Sequence, residues 1–509
     1  MRNYKNLCPL LCALGSLAAV PASQSQTRPL HPSVSVAHVL NKPKTEFSAK
    51  MSLPLNSAAD QTIIVASSWG SLFKVNPKDG RVVWSWKAKR PTRDSDLPAE
   101  VRFQETKEVK ELRGDQLTDA QIENIVLASN GLVLASTQNK MIYAVENGRT
   151  EWILDLRRIT GLSKFDIFDI KRGAAGINYA LGYEIAGIDS PFANGGSREQ
   201  GRVYSGTFQK RASLLIAFND RGKILDSHQR PNNVISFEVD KRNPRQVYFT
   251  ESTSSGSRVM RLSNGQATEV YSEAGNECFK PFKLTSLDNG NLVVGNNHQN
   301  CGCSTREDSV FLLGTSLQRG PSAKAQVLGT ARVGCVEGAF KQSGEHLFFN
   351  TLLEDDSALE CPKSGPNSKA CHGKLHVYSL RNFKPLAAPM PLEGGSDAAP
   401  DVGPSQAPGS LMIYSGTNYG YLQVFSLNLA RRTLTQQHRL LTTSAFGMSY
   451  GDELDKHALL LGSRVFVTNF GGSCGSFNRA TAISNPHFQN KPCRLYGYDI
   501  NSLGGLPQR

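Results

Sequence analysis

The sequence predicts an all-β protein, an eight-bladed β-propeller of four-stranded antiparallel blades with disulfide-pinned hairpin insertions. Three observations lead there. A unit of strand, turn, strand, Gly turn and strand recurs along the chain. Eight copies account for nearly all of the 509 residues, about 61 residues each once a leader is set aside. No low-complexity linker separates the copies into sandwich domains. The best candidate, residues 393–409, falls where a connection between blades is expected.

The first copy reads "TIIVASSWGSLFKVNPKDGRVVWSW" and the second "LVLASTQNKMIYAVENGRTEWILDL". In each, a β-branched strand ends in small polar residues, and a second strand follows. A Gly turn comes next, at Gly80 or Gly148, and a tryptophan stands four residues later, at Trp84 or Trp152. This is the pattern of a meander of hairpins. Looser copies occupy 202–225, 246–271 and 411–434, the last with Arg431-Arg432 in place of Gly. Three more carry insertions in the central hairpin, where 291–297 pairs with 309–316, 346–352 with 374–380, and 464–470 with 494–500. A four-stranded unit cannot bury both faces alone, whereas radial packing against neighbours buries them and protects the edges.

Residues 1–22 read as a signal peptide: Arg2 and Lys5, an apolar run over 7–20, then Val20-Pro21-Ala22 at the cleavage spacing. Residues 23–509 then form a single propeller domain. The alternating stretch 33–39 is expected to close the ring on the last blade. Charged residues 102–123, with the weak capping pattern Thr118 to Gln121, read as a surface insertion with a short helix. No later run is long enough to span a membrane. The net charge is +13, but it is dispersed. Its densest cluster, Lys87 to Arg93, reads as a solvated loop, and no aromatic-basic interleaving points to nucleic acid.

These units resemble the repeats of the pyrroloquinoline-quinone (PQQ) type propeller superfamily, with Trp84 and Trp152 at the family's blade-docking position beside Gly80 and Gly148. The resemblance spans nearly all of the mature chain. That superfamily includes quinoprotein dehydrogenases, which hold PQQ and calcium in the central channel, and the propeller subunit of the outer-membrane assembly machine. The last unit, with Cys474, Cys493 and "RLYGYDINSLGG", also resembles the end of the propeller in type IV pilus tip-associated proteins. It lacks their Asp-rich calcium loop.

Ten cysteines, two of them in the leader, leave eight in an exported chain, which reads as a set of disulfides. Cys361–Cys371 and Cys474–Cys493 each close one hairpin insertion, an easy geometry between paired strands. For the other four, Cys278–Cys335 with Cys301–Cys303 and Cys278–Cys301 with Cys303–Cys335 both stand open. Structural bridging is preferred over a redox or metal role for "CGC".

Other chemical candidates are weaker. Cys361, Cys371, His372 and His376 suit zinc by residue type, but the spacing matches no zinc module. "GGSCG" at 471–475 matches the G-x-S-x-G elbow but sits in a hairpin loop, so we read a chance match. "EDD" at 354–356 could serve calcium, with a solvated loop tip as the plainer reading.

No catalytic residue and no metal ligand is assigned, and no cofactor is expected. The function expected is a non-catalytic, monomeric interaction scaffold for a protein or cell-surface partner, in the periplasm or at the cell surface. The quinoprotein resemblance keeps a PQQ/calcium-dependent dehydrogenase as an alternative, although the chain lacks adjacent Cys-Cys and has four tryptophans, all before residue 153. A pilus- or adhesion-associated factor is the other alternative. If the strand order holds, the insertions 297–309, 353–373 and 470–492 share one face.

Overall fold

A computed structural model gives the architecture. It describes residues 49–50, 62–67, 71–88, 122–128, 131–137, 141–156, 165–173, 176–185, 210–253, 256–273, 275–276, 278–297, 303, 307–315, 324–352, 354, 373–396, 398–418, 420–441, 458–462, 464–468 and 495–499.

Eight antiparallel sheets follow one another along the chain, each a meander in sequence order. Blade 1 comprises Ala49–Lys50, Ile63–Ser67, Ser71–Val75 and Val82–Lys87. Blade 2 comprises Ile122–Leu127, Val133–Thr137, Met141–Glu146 and Arg149–Asp155. Blade 3 is Phe165–Arg172, Ile177–Ile185, Lys210–Asn219 and Ile224–Arg230; blade 4 is Asn233–Val239, Gln246–Thr253, Gly256–Ser263 and Gln266–Ser272. Blade 5 is Pro281–Ser286, Leu292–Asn296, Val310–Gly314 and Gln326–Ala331. Blade 6 has Lys341–Ser343, His346–Asn350 and Gly373–Ser379, with an outer strand split into Lys384–Pro385 and Met390–Leu392. Blade 7 is Asp401–Pro404, Ser410–Gly416, Tyr421–Asn428 and Thr433–Leu441. Blade 8 shows Leu459–Leu461, Arg464–Thr468 and Leu495–Asp499 among the described residues. No helix among the described residues is long and apolar enough to cross a membrane.

The hydrophobic cores lie between blades. Side chains alternate along a strand, so each middle strand serves two neighbours. In blade 2, Met141, Tyr143 and Val145 join the core shared with blade 1. Ile142 and Ala144, interleaved with them, join the core shared with blade 3. The same division recurs in blade 5, where Val310 and Leu312 face blade 6 and Phe311 and Leu313 face blade 4. Each fully buried Val, Leu or Phe contributes roughly 1.5–3 kcal/mol. Outer strands such as Gln326–Ala331 alternate between exposed and half-buried or buried residues. At the junction of the last and first blades, the Arg464 guanidinium donates to the Pro77 carbonyl.

Two expectations are corrected. The copy at 202–225 supplies the third strand of blade 3 and the start of the fourth, not a unit of its own: Ile177–Ile185 is the second strand and pairs with Lys210–Asn219, and residues 202–209 lie outside the described residues. Tyr179 and Leu181 in that strand are buried toward blade 4. In addition, Ile122–Leu127 is a strand, so the expected insertion ends before Ile122. Residues 1–22, 33–39 and 102–121 lie outside the described residues.

The turn between third and fourth strands demands a left-handed residue. Gly80 (φ 73°), Gly148 (φ 77°), Gly222 (φ 75°) and Gly265 (φ 74°) supply it in blades 1 to 4. Phe383 (φ 50°) and Arg432 (φ 54°) take that conformation in blades 6 and 7. Asn147-Gly148 and Asn264-Gly265 place both turn residues at positive φ, the type I′ pattern. Gly222 also lies under a ring: a Cβ there would stand 3.0 Å from Trp152, whereas a Cβ on Gly265 meets nothing within 4 Å. Gly265→Ala should therefore cost only the left-handed penalty, about 1–2 kcal/mol. Gly222→Ala should add an overpacking cost of about 1–3 kcal/mol. Urea unfolding of the two variants measures the difference.

Candidate functional site at the loop end of blades 5 to 7

In every blade the connection between the second and third strands leaves the same end of the sheet as the connection to the next blade. The central-hairpin insertions of blades 5, 6 and 8 therefore emerge together, and so does that of blade 3, between Ile185 and Lys210. The blade 3 insertion escaped sequence reading.

Second strands end in buried polar residues at this end: Thr137, Asn296, Asn350 and Thr468. The Asn296 and Asn350 side chains stitch the connections in place. Asn296 Nδ2 donates to the Cys278 carbonyl (3.1 Å) and the Asp308 carbonyl (3.2 Å). Asn350 Nδ2 donates to the Ala398 carbonyl (2.9 Å), and its Oδ1 accepts from Ser415 Oγ of blade 7 (3.3 Å). Asn297 Nδ2 donates to Glu337 Oε1 at 2.7 Å, with both residues buried.

A string of backbone hydrogen bonds runs around this end from blade to blade. Val336 N–H donates to Asn296 O (3.2 Å), Leu352 to Cys335 O (2.8 Å), Ser396 to Thr351 O (3.2 Å) and Asn418 to Gly395 O (3.0 Å). The Cys303–Cys335 disulfide reinforces it, with Cα atoms 4.9 Å apart. It joins the blade 5 insertion to the connection into blade 6. This pairing rules out the Cys278–Cys335 and Cys301–Cys303 alternative. Cys303 and Cys335 are fixed in space by strands either side of them, whereas the sequence shows only proximity in number. Cys278 is also disulfide-bonded, to a cysteine outside the described residues. Cys301, Cys361, Cys371, Cys474 and Cys493 lie outside them too.

At the root of the blade 6 insertion, Glu354 is buried, which corrects the solvated-tip reading of that residue. Its side chain is 4% exposed. It accepts from Thr351 Oγ1 (2.7 Å), Lys374 Nζ (2.6 Å) and His376 Nε2. Because a carboxylate only accepts, Nε2 of His376 carries the proton. The His376 ring stacks on Phe349, with centroids 5.1 Å apart. His376 is thus tied to a carboxylate within a strand, while its proposed zinc partners Cys361, Cys371 and His372 lie outside the described residues. Among the described residues no cluster of three His, Cys, Asp or Glu is arranged to hold a metal ion.

Burial alone would raise the Glu354 carboxyl. The hydrogen bond and charge of His376, then the hydrogen bonds of Lys374 and Thr351, overcome that and hold it at about 2. With these donors saturating it, Glu354 acts as a clasp on the loop root. Gly373 permits the close approach there, since a Cβ on it would fall 1.8 Å from the Thr351 carbonyl oxygen.

The blade-docking residues lie at other interfaces. Trp152 Nε1 donates to the Asp220 carbonyl of blade 3 (2.9 Å), and its ring meets Phe218 edge-on. Trp84 packs beside Gly148 of blade 2. Trp86, which sequence reading passed over, is more buried than Trp84. It donates from Nε1 to Thr150 Oγ1 at 2.9 Å and meets Tyr143 edge-on. Its signal was the alternation itself: two residues beyond Trp84, it shares the same face. Gly80 shapes its own turn in blade 1.

No family model matches the chain, and no curated protein matches it. Several solved structures are similar to it. The computationally designed Ika8 protein is 10% identical over 91% of this chain and 98% of its own, with TM-score 0.48. BamB from Moraxella catarrhalis is 11% identical over 83% and 96%, with TM-score 0.42. The quinohemoprotein alcohol dehydrogenase from Comamonas testosteroni is 11% identical over 94% and 77%, with TM-score 0.48. At such identities the likeness concerns the fold, and no ligand or partner follows from it.

The Glu354 clasp has a pH signature. Its folded value lies below the ordinary 4.5, so its stabilisation is present above that value and is lost as pH falls toward about 2. The difference corresponds to about 3 kcal/mol. Between about pH 5 and about pH 3 the urea midpoint should fall more in the wild-type protein than in Glu354→Gln.

Proposed function

We propose that this protein is an exported, non-catalytic propeller whose loop end at blades 5 to 8 binds a protein or cell-surface partner. The observation that carries the reading is the hydrogen-bonded string across blades 5, 6 and 7, locked by Cys303–Cys335. Insertions rooted in so fixed a base lose less entropy on binding than free loops would. The leader-type segment at 1–22 and the presence of a disulfide support export, since disulfides persist in oxidising compartments.

The test replaces residues 355–372 and 471–493 by short Gly-Ser turns, leaving Cys303–Cys335 intact. Labelled oxidised protein should bind saturably to cell envelopes of its source, and the loop-replaced protein should lose at least about tenfold in affinity with its thermal unfolding retained. Equal binding by both proteins would overturn the reading. So would tight calorimetric binding of PQQ with calcium, which would move the chain to the dehydrogenases.

A further inference from the structure

At the opposite end of the ring from the insertions, blades meet through a repeated contact. The fourth strand of one blade offers a side chain to the left-handed turn of the next. Trp84 packs beside Gly148, and Trp152 covers Gly222. Between blades 5 and 6 the partners are exchanged. Gly329 takes the strand position, paired with Leu312 just past the bulge as Trp152 is paired with Ala144. Phe383 of the blade 6 turn fills the space, and a Cβ on Gly329 would lie 2.5 Å from Phe383 Cβ.

Between blades 3 and 4 neither partner supplies a ring. The position of Trp152 is held by Asp226, paired with Ala217 across the same bulge. The position two residues on, Trp86 in blade 1 and Leu154 in blade 2, is held by His228. The receiving turn, Asn264-Gly265, repeats Asn147-Gly148, yet its Gly265 has nothing within 4 Å of a Cβ. In place of a ring there is a cleft of about 350 Å³, lined by Leu225, Asp226, His228, Arg245, Asn264 and Gly265 among others. That volume lies in the range of ligand pockets.

Leu225 at its lip is 48% exposed, as Val83 and Leu328 are at the same bulge position of blades 1 and 5. Two features set this cleft apart. His228 lines the cleft, and its Nε2 is buried without a hydrogen-bond partner. Asp226 and Arg245 carry opposite charges there, and no ion pair among the described residues occupies either.

We propose that this cleft is a recognition slot for an indole ring, a tryptophan side chain presented by a partner polypeptide. The chain itself fills the equivalent places of blades 1 and 2 with tryptophans carried on a strand. A turn of the His228 ring into the cleft would bring its unpartnered nitrogen to an indole N–H, and Asp226 and Arg245 suit polar groups flanking the ring. The slot lies at the other end of the molecule from the loop platform, so the two can be tested independently.

The probe is N-acetyl-L-tryptophanamide, titrated into the full-length oxidised protein by calorimetry and saturation-transfer NMR. Saturable one-site binding is expected, and N-acetyl-L-leucinamide should give at least about tenfold weaker binding. Asp226→Trp, which supplies the missing ring from within, should abolish probe binding and raise the melting temperature by a few degrees. His228→Ala, which keeps the cleft open, should weaken the probe severalfold. Absence of binding, equal binding by Asp226→Trp, or equal binding by His228→Ala should the first variant not fold, would overturn the proposal. Free L-tryptophan binding at least about tenfold more tightly than the blocked amide would overturn the polypeptide as the source of the ring.

Discussion

In the second strand of blade 2, Val133 and Ala135 belong to the core shared with blade 1, while Leu134 between them belongs to the core shared with blade 3. Blade 7 behaves alike: Met412 and Tyr414 pack toward blade 8, and Ile413 toward blade 6. The two-residue period of a strand therefore leaves no blade with a core of its own. A blade is stable only when both neighbours are in place, so the ring is the unit of folding, and insertions can leave one end without disturbing the buried middle strands. A one-residue slip in any of these strands would exchange the two cores it serves.

The same constraint confines variation to the strand ends. The sheets are fixed by their neighbours, so variation is free only in the connections. At one end, the connections of blades 5 to 7 are themselves tied together by Asn296, Asn350, the backbone string and a disulfide. At the other, the turns of blades 2 and 3 receive tryptophans, the turn of blade 6 supplies Phe383 instead, and the open turn of blade 4 leaves a cleft. In the outer strands, where alternate residues already meet solvent, an Asp or His in place of an apolar residue costs the least.

The middle strands were legible because runs such as "LVVGNN" and "HLFFNTL" are short, apolar and end in polar residues, and the structure places strands in both. The turns were legible where Gly stands, and even Arg431-Arg432 was recognised by its position. Blade 3 was misread because a long insertion separates its central strands and the 202–206 stretch imitates the expected pattern. The pairing of Cys303 with Cys335 could not be read, because it depends on which connection lies above which hairpin. Glu354 was read as solvated from its Asp neighbours, since the strand that brings Lys374 and His376 to it lies beyond a long insertion. The cleft between blades 3 and 4 was in the sequence as Gly222 followed four residues later by Asp226, but a missing tryptophan has meaning only once the receiving turn of the next blade is seen to be open.

The central claim is that the loop end of blades 5 to 7 is one rigid platform, held by bonds between blades as firmly as the cores beneath it. Hydrogen–deuterium exchange of the full-length protein, oxidised and then reduced, tests it most directly. The account predicts that the amides of Val336, Leu352, Ser396 and Asn418 in the oxidised protein exchange as slowly as core-strand amides such as Leu312. On reduction, Val336 and Leu352, next to Cys335, should quicken first. Exchange of these four amides in the oxidised protein as fast as that of an open turn such as Gly265 would contradict it.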